Sequence, residues 1–250
     1  MVAFVTGASS GIGREIAIEL GKKGYDLILV ARRKERLEAL KDEISTHVTV
    51  MEADLTDEQV CLGICKKLEH VEIDIAVNNA GFGVCGSFTE TELSQEIRMI
   101  DLNIRAVHIF TKFFAKKYIE QKHGMIWNVA SSAAFLPGPY MASYYATKAY
   151  VLRLSQAVQK EVGNRSIRIC TFCPGPVKTE FDAVAGVSVS LHGMDCKKTA
   201  QYGVKKLLKG KSIVIPGFVT KLSVFASKML PDCVLTSAAA IIQKSKLGGK

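Results

Sequence analysis

Nowhere in the 250 residues does an apolar run extend unbroken far enough to span a bilayer. Phe218 to Ile242 comes nearest, but Lys221, Lys228, Pro231 and Asp232 interrupt it. That stretch is expected as amphipathic helices near 218–246 that cover a substrate mouth or an oligomer interface, with peripheral membrane contact as the other reading. Linkers rich in Ser, Gly or Pro are lacking, as are charge blocks and internal repeats. What remains is a single domain over 1–250, long enough to bury a full core. Aromatic-interleaved basic tracts are also lacking, so the net charge of +9 does not read as nucleic-acid binding. Scattered lysines and arginines would instead steer an anionic cofactor or acyl-carrier substrate toward a cleft.

Metal ligation fails on spacing. Cys61 and Cys65 make a possible half-site on a helix, but no His or Cys cluster follows them. Cys170 and Cys173 lie in the apolar run Ile167 to Cys173, where residues three apart face opposite sides of a strand. An odd count of seven cysteines, and a Met1 that leads straight into the first strand, make a cytoplasmic protein with reduced thiols the expectation.

What the chain does have begins at its N-terminus. Val2 to Val5 is β-rich and apolar, Thr6-Gly7-Ala8-Ser9-Ser10-Gly11-Ile12-Gly13 is a glycine-rich turn, and a helical pattern follows through Leu20. Gly7 permits a tight turn, Gly11 lets backbone approach a pyrophosphate, and Gly13 lets helix pack on strand, while the helix N-terminus offers free N–H groups. Strand and helix then alternate to Val162, with further strands near Ile167–Phe172 and Ser212–Ile215, the pattern of a parallel sheet.

A second cluster lies near the middle. Tyr144 and Lys148 are four apart on a helix expected from Ser143 to Val162, hence neighbours on one face. The ammonium is expected to pull the phenol below its usual pKa of about 10 and make it a general acid for a carbonyl oxygen. Ser131, thirteen residues earlier, would hydrogen-bond that oxygen.

These motifs resemble the short-chain dehydrogenase/reductase family over nearly the whole chain. Thr6 to Gly13 resembles its cofactor loop, including Ser9, Ser10 and Ile12. Asn78-Asn79-Ala80-Gly81 resembles its central-strand motif, Tyr144 to Lys148 its active site, and Pro174-Gly175-Pro176-Val177-Lys178-Thr179 the stretch that holds the nicotinamide end. The resemblance implies an α/β Rossmann-type doubly wound parallel sheet of strand order 3-2-1-4-5-6-7, with the cofactor across the strands' carboxyl ends. It selects Ser131 over Ser132, and makes Asn103 the asparagine that completes a proton relay. It sets Asn79 to stabilise the central strands, with Ala80 and Gly81 against the adenosine ribose, and Asp54 and Leu55 beside the adenine. Pro174, Gly175, Val177 and Thr179 are placed at the nicotinamide, Lys148 at its ribose. Dimers or tetramers are common in the family.

Cofactor choice follows from charge at the end of the second strand. An acid there would select NAD, but this chain has Ala31 followed by Arg32 and Arg33, which favours the 2′-phosphate of NADP, with Arg32 as the first candidate. The leading reading is thus an NADP(H)-dependent carbonyl reductase of the family. A non-catalytic dinucleotide-binding scaffold and an epimerase or dehydratase acting on a nucleotide sugar are the alternatives. A substrate lid is expected near 180–198, its Ala183, Val184, Ala185, Val187, Val189 and Leu191 forming an apolar pocket.

Overall fold

A computed structural model describes residues 1–164, 166–187 and 193–247. Seven parallel strands form one sheet in the order β3-β2-β1-β4-β5-β6-β7. They are β1 (Val2–Thr6), β2 (Asp26–Ala31), β3 (Val48–Glu52), β4 (Ile75–Asn78), β5 (Gly124–Val129), β6 (Ile167–Phe172) and β7 (Ile213–Val214). The predicted order and architecture are therefore those observed. A parallel sheet is covered on both faces, which is why its strands read as unbroken apolar runs. In β1, Ala3 and Val5 enter one core with Ile16 and Leu20 of α1 (Gly11–Gly21), Leu37 of α2 (Lys34–Asp42) and Val204 of α8 (Cys196–Leu208). Phe4 points the other way, its ring 5.4 Å from both Phe110 and Phe114 of α5 (Val107–Gln121), with Ile64 of α3 (Glu58–Lys67) in the same cluster.

Strand order reverses between β1 and β4, and their carboxyl ends open a crevice there. Its floor is set by a buried polar chain. Asn78 Nδ2 donates to Asn128 Oδ1 at 2.8 Å, and Asn128 Nδ2 donates to Ser155 Oγ at 2.8 Å, which ties β4 and β5 to α6 (Ala142–Val162). Between α4 (Leu93–Ile100) and α5 the chain makes a π-helical turn, Asp101–Ala106. Such an insertion re-aims side chains locally and recurs at functional sites.

The segment 180–198, where a lid is expected, is described only in part. Its first described part holds α7 (Phe181–Val184) and ends at Val187, and Asp195 caps the N-terminus of α8 by accepting from Lys198 N at 2.7 Å. Cys196 to Lys198 therefore belong to the helix that packs on α1. Val189 and Leu191 lie outside the described residues. The expected C-terminal helices are α9 (Phe218–Ser227) and α10 (Asp232–Lys246). No disulfide joins any of the seven cysteines. Burial pushes the thiols of Cys61 and Cys173 up to about 12 and those of Cys65 and Cys170 up to about 11, as befits core packing. Among the described residues no cluster of His, Cys, Asp and Glu fits a metal, and no helix is long and apolar enough to cross a membrane.

Candidate active site

The glycine turn is locked to the end of β4 by side chains rather than by strand pairing alone. Thr6 Oγ1 accepts from the backbone N–H groups of Asn79 and Ala80, each at 3.0 Å, and Asn79 Nδ2 donates to Thr6 O at 3.0 Å and Gly7 O at 3.2 Å. Asn79 thus joins the central strands as expected. Gly7 and Gly11 have φ of +67° and +56°, where a side chain is strained. Gly13 has no room: a Cβ there would stand 2.2 Å from Asn79 Nδ2 and 2.4 Å from Gly7 O. Gly13→Ala is expected to destabilise the fold by about 1–3 kcal/mol, the usual cost of overpacking, seen as a lower thermal unfolding midpoint. An unchanged midpoint would show that the turn yields and that Gly13 is not a packing requirement.

A cleft of about 380 Å³ runs along the strand ends. Gly7, Ser9, Ser10, Gly11, Ile12, Arg32, Asp54, Leu55, Asn79, Ala80 and Gly81 line one part of it. Ser131, Tyr144, Lys148, Pro174, Gly175, Val177 and Thr179 line the rest. Of the residues expected in the site, only Gly13 and Asn103 stand behind its wall. The shape fits a dinucleotide: the glycine turn and the α1 N-terminus face the cleft near its middle, and arginines lie at one end with a buried Tyr–Lys pair at the other.

At the chemical end, Tyr144 and Lys148 are one turn apart on α6 and almost wholly buried. Lys148 Nζ lies 5.9 Å from the Tyr144 ring centroid and donates to Val129 O at 3.0 Å. Burial raises the Tyr144 pKa above the usual phenol range, and a hydrogen bond with Ser131 acts in the opposite sense. Lys148 is not among the groups that shift it, so the lowering expected from the ammonium is not seen. Lys148 itself is pushed down to about 8 by burial. Ser131 caps a short 3₁₀ turn, Ser132–Phe135, its Oγ accepting from Ala133 N at 3.1 Å.

Asn103 sits in the π-helical turn with no exposed surface. Its Oδ1 accepts from Phe82 N at 3.1 Å, and its Nδ2 donates to Phe82 O at 2.9 Å and Thr147 Oγ1 at 3.1 Å. The amide is a brace between the loop after Gly81 and α6. A Cβ on Gly81 would lie 2.8 Å from Asn103 Oδ1 and 3.3 Å from Lys148 Nζ, so this glycine lets the loop settle over both.

At the other end, Arg32 and Arg33 have different surroundings. Arg32 is exposed at the cleft, and with Arg98 its charge acts on Asp54. Burial opposes ionisation of Asp54, but hydrogen bonds from Thr56 and these two charges hold its carboxyl below the usual range. Arg33 is the residue that reaches the glycine turn. Its guanidinium donates to Ser10 Oγ at 2.7 Å and to Ser9 Oγ at 3.3 Å, and it pairs with Glu180 at 2.8 Å. Arg36 joins the same carboxylate at 2.6 Å, and the pair of arginines pulls Glu180 down to about 2. The sequence held a cue for Arg33, since any arginine after Ala31 has the right charge. It held none for Glu180, which lies 147 residues from Arg33.

The cleft wall also includes Phe82, Met141, Tyr145, Phe181, Val184, Val187 and Gln243. Val184 and Val187 are therefore in the pocket as expected. Ala185 is buried beside Cys85, whose N–H donates to its carbonyl at 2.9 Å, and Ala183 does not line the cleft.

A doubly wound sheet with this cleft is a dinucleotide-binding architecture. Comparison with known proteins agrees. The family described as short chain dehydrogenase matches residues 1–186, and the chain belongs to that family. It is 32% identical over 212 residues to human 17-beta-hydroxysteroid dehydrogenase type 3, covering 82% of this chain but 66% of that protein. Among solved structures, a short-chain dehydrogenase from Sphingobium yanoikuyae in complex with NADPH superposes with a TM-score of 0.83 at 31% identity, over 91% of this chain and 93% of the other. The bulky-bulky ketone specific alcohol dehydrogenase from Comamonas testosteroni gives 0.79 at 28% identity, over 91% of each.

Proposed function

We propose that this enzyme interconverts a bulky apolar ketone and its alcohol with NADP(H), with Tyr144 as the proton donor. The observation that carries the reading is the buried Tyr144 beside Ser131 and Lys148 at the apolar end of the cleft. A nicotinamide dinucleotide, when bound, supplies the hydride. Because burial keeps the phenol protonated at neutral pH, Tyr144 holds its proton until negative charge develops on a carbonyl oxygen. Transfer of that proton to the oxygen completes the alcohol and leaves a phenolate, which the Ser131 hydrogen bond and the Lys148 ammonium stabilise. Asn103 holds Gly81, Phe82 and α6 in register around them.

Preference for NADP(H) rests on Arg33 over Ser9 and Ser10, on Arg32 beside it, and on the missing acid at Ala31. The apolar substrate end and the ketone and hydroxysteroid chemistry named for two relatives support the substrate class. Cysteines without disulfides fit the cytoplasm. Exposed Leu93 and Ile97 on α4 and Ile119 on α5 offer surface for pairing of two copies. The test is consumption of NADPH by purified protein against a panel that runs from small aliphatic ketones to steroid ketones. Turnover that rises with bulk is expected. Tight NADPH binding without turnover of any carbonyl compound would favour the scaffold reading.

A further inference from the structure

Basic residues run along the whole chain, but their excess over acidic ones does not. Residues 1–192 carry 22 basic and 22 acidic side chains, whereas residues 193–250 carry 11 lysines against Asp195 and Asp232 alone, so the whole +9 resides in the C-terminal segment. The same segment exposes several large apolar residues. On α9 and the turn after it, Phe218, Leu222, Phe225 and Met229 repeat at helical spacing and are 80%, 56%, 64% and 71% exposed. Val219 beside them and Ile241 on α10 extend the apolar surface. Its opposite side is spoken for: Val224 is buried, and a Cβ on Gly175 would meet Thr220.

From this juxtaposition we propose that α9 and α10 form a docking face for an anionic lipid surface, with the apolar stripe dipping into the acyl boundary and the surrounding lysines on the headgroups. An amphipathic helix with a broad apolar face and lysine-rich flanks is built for that interface. Lys221 and Lys206 lie over the Tyr202 ring at 5.5 and 5.6 Å, placing two ammonium groups and an amphipathic aromatic beside α9. Charge complementarity selects the occupant. A second copy laid on this face would bring two lysine-rich segments together, and like charge opposes that contact. The α10 residue Gln243, buried and bonded to Tyr145, also lines the cleft, so this face adjoins it.

The experiment is flotation of the full chain with vesicles of phosphatidylcholine alone and of phosphatidylcholine mixed with phosphatidylserine. It reads binding, not turnover, so it stands apart from the reductase reading. Partition to the anionic vesicles is expected to be at least about tenfold stronger and to weaken in high salt. The triple substitution Phe218→Ser, Leu222→Ser and Phe225→Ser, at positions that carry little packing, is expected to lower that partition about tenfold or more while the thermal midpoint holds. Flotation with neither vesicle would overturn the proposal, as would a triple variant that floats like the parent. So would a concentration-dependent dimer in sedimentation that the triple variant abolishes, for then a second copy is the occupant.

Discussion

Tyr144→Phe is expected to lower kcat for ketone reduction by about 10²–10⁴, the contribution of a positioned general acid, with NADPH affinity unchanged within about twofold. The substitution removes one oxygen from a ring that packs against Phe181 at 5.2 Å and Tyr145 at 6.1 Å, so the pocket keeps its shape. Steady-state kinetics and an equilibrium titration of cofactor separate the two effects. A variant with full turnover would remove Tyr144 from the chemistry. The pH profile gives an independent check. Lys148, held near 8, carries its charge at neutral pH and sheds it above that value. The ammonium that stabilises the phenolate is then gone, so kcat for reduction is expected to fall as pH rises through about 8. A rate that climbs across that range would mean that Lys148 acts in its neutral form.

Arg33→Ala should weaken NADPH binding about ten- to hundredfold and leave NADH binding nearly unchanged, the effect of losing one charged, hydrogen-bonded partner of a phosphate. Arg32→Ala should weaken it less, because Arg32 is exposed and shares its field with Asp54. Fluorescence titration of both cofactors with both variants decides the order. Equal losses would mean that the two guanidinium groups grip the phosphate jointly; no loss in either would remove the basis for NADP selection. Glu180 sharpens the same test. Its carboxylate stays ionised well below neutral pH and competes with a 2′-phosphate for Arg33. Glu180→Gln is therefore expected to tighten NADPH relative to NADH.

Much of this was legible before any coordinates because the signals are local. β1, β2 and β6 announce themselves as short apolar runs, and α1 begins where the glycine turn ends, since turn, strand and helix answer to neighbours within a few residues. Tyr144 and Lys148 share a face for the same reason. The choice between Arg32 and Arg33 was not legible, because one residue of register at the start of α2 decides which guanidinium turns toward Ser9 and Ser10. Nor was the start of α8, which depends on where Asp195 caps it.

What the sequence determined by itself was the order of elements, the parallel sheet, many of the cleft residues and the sign of charge at its arginine end. These follow from periodicity, glycine conformation and side-chain chemistry, all properties of residues in their own stretch of chain. What only the tertiary structure decided was environment. Burial raises Tyr144 and lowers Lys148 because it removes water from both. Asn103 becomes a brace because the π-helical turn aims it at Phe82 and Thr147. Glu180 meets Arg33 because the fold closes a loop of 147 residues, and α9 shows its apolar stripe because the body of the protein uses only its other side. Each depends on distance in space, which separation along the chain does not encode.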